Sequence, residues 1–482
     1  MANSEIEDTI AAVGYAKVLV TLAPNVMGAA LEATTAGGDN SVRALAEAKK
    51  LEKHFIVPSE AQQESLALGA RVSASRNFNR AVDPATRRLR VYPHLGLAIG
   101  YVDKSGAAAL EASAATSNVV KAPELSLIRP TAVRPAHRKA ALSWGLKALG
   151  ADAMWSAGFD GKDVVVGHLD TGVDGSHPSL KGAIFDFAEF DLAGDKVPNA
   201  KPHDSGEHGT HTAGTIAGRA GAKGAFGMAP GAKLASGLVI EGGQVIERIL
   251  SGMDWIIERG CPILSMSLGL RGFTPAFEQI INALRTAGVL PVIAVGNEGA
   301  LSSRSPGNYD TVLSVGAMDA AQTVPLFSSS QKFTRPNEPL VPDLVAPGMG
   351  VLSCIPGGRF AEMDGTSMAT PHIAGLAALL RQARPQASIA DLEQAILGSC
   401  RLPPGMPVAR GNRGVPNGPR AFQLLTGSPL PVAATAASRR RPVKPAAAAA
   451  RPGKPVAAKK RAGRPVAAAA RAGKPGKKAK PT

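Results

Sequence analysis

The chain has 482 residues, enough for two or three domains and a large core. Forty-five per cent hydrophobic residues and a mean hydropathy of +0.03 suit a soluble globular protein, and no apolar run is long enough for a membrane span. The formal charge of +16 is uneven: residues 438–482 hold fifteen Lys and Arg and no Asp or Glu, which leaves about +1 on everything before them.

Glu5, Glu7 and Asp8 precede the first lysine, Lys17, the opposite of a secretory signal. The expectation is a cytoplasmic protein, or a secreted one if the start is misassigned. Residues 17–22 read as a strand and 41–53 as an Ala/Leu/Lys/Glu helix. Residues 88–92 and 95–102 read as a hairpin around Pro93-His94, followed by a helix over 105–115 and a strand from 117. This makes residues 1–130 a small α/β region with a long insertion at 24–84 and no catalytic cluster of its own. Two prolines, Pro130 and Pro135, and several basic residues after Ile128 mark a linker, bounded here as 131–140.

The pattern changes over 141–427. Continuous apolar runs at 164–169, 233–240, 263–268, 289–295 and 312–315 have the character of parallel strands covered on both faces. Helical stretches at 212–217, 245–259 and 275–287 alternate with them, which predicts an α/β fold with a doubly wound, mostly parallel sheet. Ligands in such sheets bind beyond the carboxyl ends of the strands. Cys261, Cys354 and Cys400 are far apart and lack metal-type spacing, which predicts buried free thiols, with one disulfide at most.

Four stretches carry candidate chemistry. Asp170 ends a buried strand in Asp170-Thr171-Gly172; His208 opens a small-residue helix in His208-Gly209-Thr210-His211; Asn297 ends a strand in Gly296-Asn297-Glu298-Gly299. Ser367 lies in Gly365-Thr366-Ser367-Met368-Ala369-Thr370-Pro371-His372, a turn opening into a buried helix. There Thr366 or Ser367 suits the N-cap, Pro371 falls in the first turn, and unpaired N–H groups suit an oxyanion. Each stretch alone has an ordinary reading as a turn former, a cap or a loop residue. His208 and His211 are three apart, whereas a zinc-protease helix needs four, so no metal site is read there. His203 and Asp204 read as solvated surface.

In this order and on this secondary structure, the four stretches resemble the subtilisin family of serine endopeptidases over about residues 143–425. The resemblance implies a catalytic Asp170, His208 and Ser367, with Asn297 and the Ser367 N–H as oxyanion donors. It implies that an extended peptide is laid between Ser267-Leu268-Gly269 and a segment running from Leu238 to Gly242, with Ala294-Val295-Gly296 walling the first pocket. Small residues there, with no buried charge, suggest a broad apolar preference. His211 is read as structural.

Relatives that bind calcium have an Asp where Ser179 stands, and residues 219–227 lack the expected Asn. No strong calcium site, no other cofactor and a monomer are therefore expected. Residues 1–130 resemble the family's propeptide more loosely, which implies self-cleavage between about 129 and 141; the rival reading is a permanently attached accessory domain.

From 428 onward the chain is Ala, Pro, Gly, Lys and Arg with a ten-residue repeat, a composition that cannot bury a core. Such a disordered tail suits phosphate contact by nucleic acid, with a membrane surface or a partnerless solubilising role as alternatives. A rival for the whole chain is an inactive protease fold that serves as a nucleic-acid-associated binding protein.

Overall fold

The computed structural model describes residues 2–23, 45–46, 48–57, 88–136, 141–221, 223–240 and 245–431. The chain divides after Ala433. The basic tail, most of the 24–84 insertion and Gly242 lie outside the described residues.

The N-terminal region opens with helix α1 (Ala2–Val13) and strand β1 (Ala16–Leu22). Strands β2 (Leu89–Tyr92) and β3 (Leu97–Val102), helix α2 (Lys104–Glu111) and strand β4 (Thr116–Lys121) follow. The sheet order is β2-β3-β1-β4, and β2 with β3 is the antiparallel hairpin expected around Pro93-His94. Asp103 caps α2 by accepting from the Gly106 N–H at 2.7 Å. Of the helix expected over 41–53, Lys50–His54 is a 3₁₀ turn and residues 41–44 and 47 lie outside the described residues.

Two short strands come next, β5 (Ser126–Leu127) and β6 (Ala132–Pro135). The central sheet then takes β7 (Val165–Asp170), β8 (Ile184–Glu189), β9 (Lys233–Leu238), β10 (Ile263–Met266), β12 (Leu290–Ala294), β14 (Leu313–Met318) and β17 (Leu344–Pro347). Its order is β17-β14-β12-β10-β7-β9-β8, with every pairing parallel. The interior strands are the apolar runs seen in the sequence, because helices cover both faces. Between them lie β11 (Leu268–Arg271) and β13 (Arg304–Ser305), which pair with each other. A two-stranded ladder of β15 (Gln331–Lys332) and β16 (Leu340–Val341) and a hairpin of β18 (Val351–Ile355) and β19 (Arg359–Asp364) complete the set.

Strand order reverses at β7, whose neighbours are β9 on one side and β10 on the other. That switch point opens a crevice beyond the carboxyl ends of the strands. Helix α3 (His208–Ala217) begins at its rim, followed in the chain by α4 (Ile246–Glu258) and α5 (Glu278–Thr286). Helix α6 (Thr366–Ala383) is buried continuously from Thr366 to Leu380 and packs on α3, β10, β12 and β14. Small and apolar side chains on most of its faces permit such a position, and the buried His372 is satisfied by the Met368 carbonyl, 2.8 Å from its Nδ1.

Two local expectations change. Thr366 is already the first residue of α6 and Gly365 precedes it, so Pro371 is the sixth helical residue rather than part of the first turn. Proline cannot bond back to the Ser367 carbonyl; the Ser267 hydroxyl donates to it instead, at 3.3 Å. Residues 131–140 are not a free linker either: β6 is the third strand of the β18-β19-β6 sheet, although 137–140 lie outside the described residues.

The N-terminal region shares a core with the catalytic part. Leu19, Tyr92, Leu95, Leu97 and Ile99 pack in one cluster with Ile249, Leu250 and Met253 of α4. Polar contacts ring that core: Lys17 to Glu247 at 2.5 Å, His94 Nδ1 to Asp254 at 2.9 Å, and Arg90 to Asp195 at 2.8 Å. No helix among the described residues is long and apolar enough to cross a membrane.

Candidate active site

Asp170 is the last residue of β7 and is 1% exposed. Its Oδ1 accepts from Nδ1–H of His208 at 2.7 Å and from the Thr171 N–H at 2.7 Å; its Oδ2 accepts from the Thr212 hydroxyl at 3.0 Å. Burial pushes this carboxyl up, but the charge and hydrogen bond of His208 and the Thr171 N–H outweigh it and leave Asp170 below its ordinary range.

Glycines make the pair possible. Gly172 has a φ of +104°, and a Cβ on Gly209 would lie 2.0 Å from the Gly172 carbonyl oxygen. The turn after β7 and the start of α3 thus touch backbone to backbone, which brings the carboxylate and the imidazole together.

Asp204, expected to be solvated surface, instead ties down the same corner. It accepts from the Thr171 hydroxyl at 2.7 Å and from both the N–H and the hydroxyl of Thr210 at 2.6 Å. It serves as the cap that Glu207, at the formal cap position, does not supply. His211 is fully buried, donates Nε2–H to the Val351 carbonyl at 3.0 Å, and is pushed by burial down to about 3, so it stays neutral.

Ser367 is the second residue of α6, in the turn whose N–H groups have no partner within the helix. The Asn297 Oδ1 accepts from both the N–H and the hydroxyl of Thr366 at 2.9 Å, which turns the amide Nδ2 toward the crevice. The Ser367 hydroxyl does not reach His208 in this state. It donates to the Ile128 carbonyl at 2.6 Å, and Nε2 of His208 is buried with no hydrogen-bond partner.

The chain itself occupies the cleft. Strand β5 pairs antiparallel with β11, Leu127 opposite Leu268 and Ser126 opposite Gly269. The Ile128 N–H donates to the Ser267 carbonyl at 3.1 Å, and the Asn297 amide donates to the Arg129 carbonyl at 2.9 Å. The Thr131 N–H donates to the Asp364 carbonyl at 2.8 Å, after which β6 runs antiparallel along β19. Arg134 grips the Asp364 carboxylate with both Nη atoms, one of them at 2.8 Å. Ser126 to Pro135 is a strap, docked as an added strand on each side of Ser367.

Of the expected cleft residues, Ser267, Leu268 and Gly269 line this path, and Asn297 reaches the strap directly. Leu238 does not belong to the cleft wall. It is 0% exposed, pairs with Asp170 inside the sheet and gives its carbonyl to the Phe190 N–H. Ala294 and Val295 are likewise fully buried at the end of β12.

The pocket also carries the buried charges that the small residues were taken to exclude. A Cβ on Gly296 would lie 2.7 Å from Oε2 of Glu298 and 3.2 Å from Cγ of Arg304. Arg304, 6% exposed, pairs with Glu298 at 2.5 Å and donates to the Gly269 carbonyl and to the Ser126 hydroxyl, each at 2.9 Å. Glu298 in turn accepts from the Asn297 N–H at 3.0 Å. These two residues escaped the sequence reading because Glu298 looked like loop polarity and Arg304 lies seven residues past Asn297. Among the described residues no three His, Cys, Asp or Glu side chains converge on a metal-binding arrangement.

The sequence model of the subtilase family matches residues 161–420, more than half of the chain. The protein belongs to the subtilase family. Its enzymatic class is that of a serine-type endopeptidase, and its substrates are polypeptides. It is 37% identical over 247 residues to the major intracellular serine protease of Bacillus subtilis (strain 168), an alignment covering 49% of this chain and 74% of that protein. Subtilisin BL of Lederbergia lenta is 37% identical over 248 residues, covering 50% of this chain and 85% of its own. Subtilisin E of Bacillus subtilis is 34% identical over 262 residues, with 52% and 64% covered. The matched region of this subtilase begins beyond the strap, so residues 1–160, cleft occupant included, lie outside the family match.

Proposed function

We propose that this subtilase hydrolyses peptide bonds through an acyl-enzyme on Ser367, with His208 as the proton carrier. His208 takes the hydroxyl proton on attack and returns it to the leaving amine. Asp170 keeps the Nδ1–H tautomer in place and stabilises the imidazolium. The Asn297 amide and the Ser367 N–H hold the tetrahedral oxyanion. The observation that carries this reading is that Ser367 and Asn297 grip adjacent carbonyls, those of Ile128 and Arg129, in a strand laid across the cleft. Glu298 and Arg304 neutralise one another, so the pocket keeps an apolar preference. No cofactor enters the scheme, and the protein acts as a monomer. An active-site fluorophosphonate should label Ser367 once the cleft is open; a cleft-open protein that stays unlabelled supports the inactive-fold reading instead.

The N-terminal region is then a tethered inhibitor. Ser367 spends its proton on the Ile128 carbonyl, and the strap shields the primed and unprimed sides of the cleft together. The processing window expected from the sequence, 129–141, abuts that carbonyl, and N-terminal sequencing of the labelled species reads the site. Arg134→Glu sets two carboxylates against each other at Asp364 and loosens the strap. With Arg134 half-exposed and Asp364 buried, this should raise the initial rate of uncleaved protein on a peptide about fivefold. An unchanged rate means that something else limits access.

Residues 438–482 are proposed to hold nucleic acid or another polyanion by counterion release. The affinity of the full chain for duplex DNA should fall by at least about tenfold from 50 to 200 mM salt. It should vanish for a chain ending at residue 427. A flat salt response rejects the electrostatic reading.

A further inference from the structure

The pair Asp170–His208 has a second side. The Thr212 Oγ1 that approaches Oδ2 of Asp170 lies 2.8 Å from Nε2 of His168, and Nδ1 of His168 lies 2.9 Å from the Ser236 hydroxyl. His168 and Thr212 are each 1% exposed and Ser236 is 0% exposed. The three come from separate elements, β7, α3 and β9, and strand alternation puts His168 on the same face as Asp170.

Donor counting fixes the direction of this chain. An ionised carboxylate only accepts. The Thr212 hydroxyl has one proton, and although the His208 and Gly209 carbonyls lie at 3.2 and 3.1 Å, the charged oxygen at 3.0 Å is the stronger acceptor. Its oxygen therefore accepts from His168, so Nε2 bears the proton and Nδ1 accepts from the Ser236 hydroxyl. Every donor then points the same way, from Ser236 through His168 and Thr212 to Asp170, and bonds so aligned polarise one another. Burial pushes His168 down, the opposing pull of Asp170 and Asp204 notwithstanding, which keeps the ring neutral.

We infer that His168 is a positioning residue for proteolysis: through Thr212 it draws charge from the far oxygen of Asp170, fixes the plane of that carboxylate, and so sets the basicity of His208. The inference rests on Asp170 and His208 acting as the orienting pair proposed above. A buried histidine that merely satisfies its own hydrogen bonds would affect stability alone. The titratable groups facing His168 are Asp170 on its own strand, His208 on α3 and Asp204 in the loop before it; the flanking strands oppose it with Ser236 and Ser265.

The test separates the two roles without needing activity. In full-length Ser367→Ala protein, NMR titration of ¹⁵N-histidine follows His208. His168→Leu should raise its midpoint by about half a pH unit, because a carboxylate with one donor fewer is more basic toward the imidazolium. Thr212→Val should do the same, and the double variant should add nothing further. His168→Gln, which keeps a donor for Thr212 and an acceptor for Ser236, should restore most of the original midpoint. In active protein the acid limb of kcat/KM should move up in parallel, with kcat falling about tenfold and KM unchanged. If His168→Leu fails to fold, Thr212→Val carries the test alone. A folded variant whose His208 midpoint stays put overturns the inference, whatever happens to proteolysis; a wild-type protein that titrates as described yet never turns over overturns only the proposed function.

Discussion

Ser367→Ala is expected to lower kcat by about 10⁶-fold on a chromogenic peptide, the size of the loss in subtilisin itself, carried across to this chain. Among the described residues, neither the adjacent hydroxyl nor the nearby thiol can substitute. The neighbouring Thr366 hydroxyl is committed to the Gly296 carbonyl and to Asn297, and Cys354 is buried, its thiol pushed up to about 12. What survives is attack by water in a site that still binds the peptide and still offers Asn297. Stability should hardly change, since the hydroxyl makes one hydrogen bond, to Ile128, worth about 1 kcal/mol. Steady-state kinetics and a thermal melt on the same preparation check both halves. A variant that keeps a percent of wild-type turnover puts the nucleophile elsewhere.

Asp170→Asn should cost about 10⁴-fold in kcat while leaving the geometry of the pair nearly intact. Oδ1 of Asp170 accepts two hydrogen bonds, from His208 and from Thr171, and Oδ2 accepts from Thr212. An amide can keep its oxygen on only one side. If the oxygen stays on Thr212, the amide N–H groups face Nδ1 of His208 and drive the proton to Nε2, where it blocks transfer from Ser367.

The same substitution removes a pH-dependent contribution to stability. Asp170 is held below its ordinary range, so its contribution is fully present above about pH 4, the ordinary carboxylate value, and is lost as pH falls through its lower folded value. The stability gap between wild type and Asp170→Asn should therefore close as pH falls below about 4, as read from urea melts at stepped pH. A gap that widens toward acid contradicts the assignment.

The contrast between His168 and Asp170 shows where sequence reasoning stopped. Both lie on one strand two residues apart, yet only Asp170 drew attention, because it ends the apolar run in a turn. His168 passed as part of that run, since nothing in 164–169 announces Thr212 and Ser236, which are brought to it by a helix and by the next strand. Strand β8 was missed for a related reason. It lies at the sheet edge, where one face meets water, and Phe185 there is 56% exposed, so its pattern mixes polar and apolar residues instead of forming a run. Leu238 erred in the opposite direction: sharing a run with its strand, it was assigned to the cleft, when pairing with Asp170 buries it.

What the sequence by itself determined was the local chemistry. Apolar runs long enough to be buried strands, glycines at the two turns where backbones touch, and a serine opening a helix are all properties of neighbouring residues, and neighbours are visible in a string. The tertiary structure alone decided which groups meet: Ser367 with the Ile128 carbonyl, Arg304 with Glu298 and Ser126, His168 with Thr212 and Ser236. Those partners are separated by between 6 and 239 positions. Only closing the sheet around its switch point brings them within hydrogen-bond distance, because direct contact between side chains reaches only a few ångströms and carries no mark in the order of the chain.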